Sequence, residues 1–144
     1  VERFLTLYRN YDKPKVKAYG DLGVFYVKTG RYYQAVENLL FAVTIPLSVS
    51  IEYLKGKDPD YEFYGVDILL EEISKVPALR EYLREEQFFK YWYYLGSSFF
   101  ASGERERSRE IWTYLSRQNL ESEYRILARR QLTAPFLEPL MILN

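Results

Sequence analysis

Apolar positions along the chain recur with a helical period, in blocks closed by glycine or proline. Over residues 16–28 they fall at Val16, Tyr19, Leu22, Val24, Phe25 and Tyr26, and the block stops at Thr29-Gly30. Glycine is the residue that most readily takes the left-handed conformation at a helix end. A second helical block follows at once, with Tyr32, Ala35, Val36, Leu39, Leu40 and Val43 leading up to Pro46. So short a connection predicts two antiparallel helices joined as a hairpin. The same grammar returns over residues 87–101. Phe88, Trp92, Leu95, Phe99 and Phe100 run into Ser102-Gly103, and Ser108, Ile111, Trp112 and Leu115 populate the next helix.

Between the hairpins, Asp58-Pro59-Asp60 reads as a helix start, with Asp58 as cap and Pro59 in the first turn. Tyr61, Tyr64, Ile68, Leu69 and Ile73 then predict a helix ending near Ser74, and Pro77 opens a shorter one through Ala78, Tyr82 and Leu83. An irregular helical pair over residues 58–86 is therefore expected. Residues 121–132 predict a last helix, with Tyr124, Leu127, Ala128 and Gln131 on related faces. The tail, residues 134–144, is apolar and carries Pro135 and Pro139, which disfavour a continuous helix. It needs cover from this domain, a neighbouring repeat or a partner.

Composition removes several functions. With 144 residues the chain suits one domain, and 48% hydrophobic with 28% charged residues is foldable rather than disordered. Twenty basic residues balance twenty acidic ones, so no net field attracts nucleic acid. The arginines from Arg105 to Arg130 alternate with Glu104, Glu106, Glu110, Glu121 and Glu123, which reads as a solvated helix surface. Cysteine and histidine are absent, which excludes disulfides, thiolate nucleophiles, imidazole bases and the usual zinc sites. Apolar runs such as residues 39–49 are too short and interrupted to span a bilayer, so direct membrane insertion is not expected. Nothing in the chain indicates a compartment. Asp67, Glu71 and Glu72 share a helix face, but a metal-dependent enzyme would need ligands from a second helix and a pocket. No cofactor is expected, and the chain reads as a non-enzyme.

The motif that carries most information is aromatic, two residues, Leu-Gly, two residues, aromatic, followed by a second helix with one small and several large apolar positions. It runs Tyr19, Leu22, Gly23, Tyr26, Gly30, Tyr32, Ala35, Leu39, Ala42, and again Trp92, Leu95, Gly96, Phe99, Gly103, Ser108, Trp112, Leu115. This resembles the tetratricopeptide repeat family, whose repeat is about 34 residues long. The second copy has Arg105 where the first has Tyr32, and Ser108 in place of alanine. A weaker echo is Tyr124, Leu127, Ala128, Gln131. The resemblance implies an all-α chain of antiparallel helical hairpins stacked as a right-handed α-α superhelix, with repeats at about residues 16–48 and 89–120. Val1, Leu5 and Tyr8, followed by Pro14, have the spacing of a second helix from a preceding hairpin, so the chain is expected to be a fragment of a longer protein.

Stacks of this kind hold a peptide or a helix of another protein on the concave face built by the first helices. By the family's register that face would carry Lys17, Gly20, Val24, Val27 and Lys28, then Lys90, Tyr93, Ser97, Phe100 and Ala101, with Ser122, Arg125 and Arg129 from the last helix. Gly20 and Val24 stand where the family's clamp for an acidic C-terminus has gripping side chains, so that ligand is not implied. The expectation is a mixed apolar groove with basic ends at Lys17, Lys28 and Lys90, anchoring an apolar segment on Tyr93 and Phe100. The alternative is a structural or self-associating spacer whose groove is filled by its own apolar tail or by a second subunit, including a homodimer that exchanges tails.

Overall fold

A computed structural model describes residues 2–118 and 122–141, with side chains from Pro14 onward. Among the described residues there are helices and no strands: α1 (Glu2–Lys28), α2 (Tyr32–Lys57), α3 (Val66–Ser74), α4 (Pro77–Glu85), α5 (Phe88–Ala101), α6 (Arg105–Ser116) and α7 (Glu123–Thr133). The chain is thus all-α. Residues 1, 119–121 and 142–144 of the expected elements lie outside the described residues.

Helices α1 and α2 form one hairpin, α5 and α6 another, and the two close with the same chemistry. Gly30 (φ 78°) and Gly103 (φ 90°) both take the left-handed conformation. Behind Gly30, the Arg31 amide donates to the Tyr26 carbonyl at 2.8 Å; behind Gly103, the Glu104 amide donates to the Phe99 carbonyl at 2.8 Å. Each bond reaches back across the last turn to satisfy a carbonyl that the helix leaves orphaned. The crossing points match as well. A Cβ on Gly23 would lie 2.5 Å from Leu39 Cγ, and one on Gly96 would lie 2.7 Å from Trp112 Nε1. In both hairpins a glycine lets the second helix drop a large side chain onto the backbone of the first.

The hairpins stack directly. α5 packs chiefly on α2 and also on α1, while α7 packs on α6 and α5. Gly20 makes the α1–α5 contact possible, because the Tyr91 ring occupies the space its side chain would fill. The Tyr91 hydroxyl then donates to Asp21 Oδ1 at 2.8 Å. Leu39, Tyr91, Trp92, Tyr93, Trp112 and Leu115 belong to one continuous core. The α3–α4 pair, which adjoins α5 through α4, does not separate α5 from α2.

Three boundaries differ from the sequence reading. Pro46 does not end the second helix; it is buried inside α2, which continues to Lys57. Tertiary packing outweighs the local cost of about 3 kcal/mol for an interior proline. The continued helix makes α2 long and apolar enough to cross a bilayer by length and composition, with a mean hydropathy of 1.4 over its most apolar stretch, whereas the run of residues 39–49 by itself is too short. In this fold one face of α2 lines the core, with Ala35, Leu39, Ala42, Val43 and Val49 buried, while Leu40 and Phe41 on the same helix are exposed. Asp58 closes α2 rather than opening α3, its amide donating to the Leu54 carbonyl, and α3 starts later, at Val66. Finally, α1 runs unbroken through Pro14, so residues 2–11 extend the first helix instead of forming the second half of a preceding hairpin. A hairpin needs a turn, and there is none between Glu2 and Lys28.

Candidate binding face

The first helices of the two hairpins, α1 and α5, together with α7, share a face, and an extended stretch of the chain's own tail crosses it. α7 ends at Thr133, and residues 135–141 are without regular structure. From there the tail passes over α5 to the end of α1, where the Met141 amide donates to the Lys28 carbonyl at 2.7 Å. Leu140 methyls approach Gly30. The prolines at 135 and 139 explain the extended path, since each biases the residue before it away from helix.

The centre of this crossing is a relay of polar groups. Gln131, on α7, has no exposed surface. Its Oε1 accepts the Phe136 amide at 2.8 Å, and its Nε2 donates to the Tyr93 hydroxyl oxygen at 3.1 Å. The two bonds fix the amide's orientation, because exchanging O and N would break both. Tyr93 then donates its single proton to Glu138 Oε1 at 2.6 Å. Ser97, one turn along α5, makes a longer contact of 3.5 Å with the same oxygen. Burial, and next the bond to Glu138, push the Tyr93 phenol above its ordinary value against the opposing bond from Gln131. Ionising Tyr93 would place an unsolvated anion beside a carboxylate, so the neutral donor is strongly favoured.

The residues expected on this face are distributed as follows. Tyr93 is 0% exposed, Ser97 4%, Val27 0% and Val24 7%, so these four lie in the interior beneath α7, the tail or the neighbouring helices. Gly20 is filled by Tyr91. Lys17 is exposed but bonded to Asp21 Oδ2 at 2.8 Å. Asp21 is partly desolvated, yet the bonds from Lys17 and Tyr91 together hold it below the usual carboxylate range. Lys90 lies with Nζ 6.0 Å from the Tyr91 ring centre, Lys28 is half-buried and contributes its carbonyl, and half-buried Phe100 is overlain by the Arg105 guanidinium at 4.7 Å. The basic ends expected from Lys17 and Lys90 are thus engaged within α1 or on an aromatic ring. The polar groups that meet the tail are instead the hydroxyls of Tyr93 and Ser97 and the side-chain amide of Gln131.

Glu138 and Gln131 were not singled out as site residues from the sequence. A signal existed, since Glu138 is the one charged residue among residues 134–144, and a lone carboxylate in an apolar tail calls for a donor. Gln131 looked like an ordinary position on a helix face.

Two other features complete the surface. A cleft of about 760 Å³ lies between α4 and the starts of α5 and α7, lined by Arg80, Arg84, Lys90, Phe88, Phe89 and Tyr124 among others. Asp67 and Glu71 border a smaller hollow beside Tyr114 and Arg117, and no three potential metal ligands converge among the described residues. Compared with protein-family models, with curated proteins and with solved structures, the chain finds no match in any of the three.

Proposed function

We propose that this chain is a tetratricopeptide-type stack, a right-handed α-α superhelix, whose first-helix face holds an extended polypeptide segment of a partner, and that it catalyses no reaction. The repeat reading is supported by the two hairpins. They share the glycine-closed turn, the glycine at the helix crossing and the small buried residue on the second helix, Ala35 in one and Ser108 in the other.

The observation that carries the binding reading is the tail itself. An extended segment already crosses α5 and α1, held through its backbone at Phe136 and Met141 and through a side chain at Glu138. Side chains on helices that satisfy an extended backbone have the chemistry of peptide capture. The tail's grip is modest, because Leu137 (59%), Leu140 (58%) and Met141 (49%) remain largely exposed. Ordering each residue costs about 1–2 kcal/mol, and half-buried apolar side chains with a few hydrogen bonds offset little more than that. A segment held so lightly is displaceable.

The same observation favours a second reading, a closed module in which the tail is a permanent part of the fold. An array of extended eight-residue peptides of varied chemistry separates the two, probed with the full chain carrying Glu138→Ala and Leu140→Ala to loosen the tail. Capture predicts micromolar binding of one class of peptide, with the wild type binding it more weakly. Absence of binding by every class, with helical content intact, would sink the capture reading and leave the closed module.

A further inference from the structure

Resting on the capture reading, we infer that the partner segment is an acidic–apolar strand, one carboxylate with apolar residues two positions to either side, which competes with residues 134–141 for the Tyr93–Ser97–Gln131 relay. The polarity of the relay dictates the sign of the ligand. Gln131 is committed at both ends: its carbonyl faces the strand's backbone amide, and its amide nitrogen donates to Tyr93. Tyr93 receives that bond on its oxygen, so its one proton points at the ligand, and Ser97 adds a second hydroxyl on the same oxygen. A position presenting hydroxyl donors suits an anionic oxygen and gives a lysine or arginine nothing comparable.

The rest of the motif follows from extended geometry. Alternate residues of an extended strand share a side, which puts Phe136 and Leu140 on the side of Glu138. Among the described large apolar residues of the tail Phe136 is the least exposed, at 37%, and the Leu140 methyls lie over Gly30. A Cβ at residue 30 would meet Leu140 methyls at 3.7 Å and 3.9 Å, so an aliphatic side chain rests against this turn at ordinary contact distance. The backbone is read at two points, the amide two residues before the carboxylate and the amide three residues after it. The tail therefore serves as the resident competitor and as the pattern of what replaces it.

The test is fluorescence anisotropy with a labelled peptide bearing the sequence of residues 134–141, titrated with the full chain and with the Glu138→Ala, Leu140→Ala double variant. The variant is expected to bind at least tenfold more tightly than the wild type. A peptide with glutamine for the glutamate should lose at least fivefold, and one with lysine should not bind. Ser97→Ala in the loosened background should shrink the glutamate-over-glutamine preference while leaving the circular dichroism unchanged. In the wild-type chain, excess peptide should accelerate hydrogen exchange of the Phe136 and Met141 amides, a readout that needs no variant to fold.

Equal affinity for the glutamate and glutamine peptides would overturn the acidic motif while leaving capture standing. If other peptides from the array bind and this one does not, the tail is no model of the ligand. Binding that is abolished by Arg80→Glu and Arg84→Glu, both on the cleft beside α4, and indifferent to Ser97→Ala would move the site off this face. A concentration-dependent doubling of the wild-type mass that disappears in the loosened variant would overturn the inference in favour of a second copy's tail as the occupant.

Discussion

Replacing Tyr93 with phenylalanine removes one oxygen from the middle of the relay and leaves the ring packing in place. The ring centre lies 5.7 Å from that of Tyr124 and 6.4 Å from that of Trp112, contacts that phenylalanine keeps. Two bonds disappear. The bond to Glu138, at 2.6 Å, is of the charge-assisted kind, worth about 1.5–3 kcal/mol; because Glu138 is half-buried and water can replace the donor, the lower end applies. The other loss strands Gln131 Nε2, on a residue with no exposed surface, and an unpaired buried donor costs about 1–3 kcal/mol. The expected total is about 2.5–4.5 kcal/mol, a substantial share of a typical domain stability of about 5–15 kcal/mol. Urea denaturation followed by circular dichroism and tryptophan fluorescence measures it, with the slope unchanged if only native contacts are lost. Glu138→Ala alone should cost about 1–2 kcal/mol. The double variant should then cost less than the sum, by a coupling of about 1 kcal/mol, because either change removes the same bond. Additivity within about 0.3 kcal/mol, or a Tyr93→Phe cost below about 0.5 kcal/mol, would show that the relay does not hold the tail.

Two further outcomes are expected. Gly96→Ala should lower stability by about 1–2 kcal/mol in thermal denaturation, since overpacking against Trp112 costs about 1–3 kcal/mol and improved helix propensity offsets up to about 1; Gly56→Ala, where an added Cβ meets nothing within 4 Å, should be neutral or stabilising. Stability should also fall as pH rises above 10. Burial and the carboxylate partners of Tyr91 and Tyr93 raise both phenols above their ordinary value, and burial with Glu123 nearby pushes Tyr124 to about 12. Beyond pH 10 the unfolded chain loses these protons while the native state keeps them, so stability present below that pH declines, by up to about 1.4 kcal/mol per pH unit for each fully buried phenol. Urea midpoints at pH 8 and pH 11, with phenolate absorbance recorded alongside, check the sign; equal midpoints at the two pH values would contradict it.

Local pattern determined a good deal about this protein. The periods of apolar residues, the Thr29-Gly30 and Ser102-Gly103 stops and the notches at Gly23 and Gly96 sufficed for two hairpins, because they depend on contacts within a few turns of chain. The extended character of the tail was equally legible from Pro135 and Pro139. Tertiary structure alone decided the rest. Pro46 and Pro14 read as boundaries because a proline is locally unfavourable in a helix, yet both lie inside one; at Pro46, burial against neighbours outweighs the lost bond. Tyr93 was a candidate contact by the register of the resembled family, and Tyr91, Trp92, Tyr93 and Tyr94 wrap nearly the whole circumference of α5, so they cannot all face one hairpin partner. What covers the remainder is α1 on one side, with Gly20 admitting Tyr91, and α7 with the tail on the other. These contacts span 38 to 70 residues of sequence. The pairing of Glu138 with Tyr93 follows from the same cause, since a lone carboxylate states that it needs a donor, and only the path of the chain through space selects which one it meets.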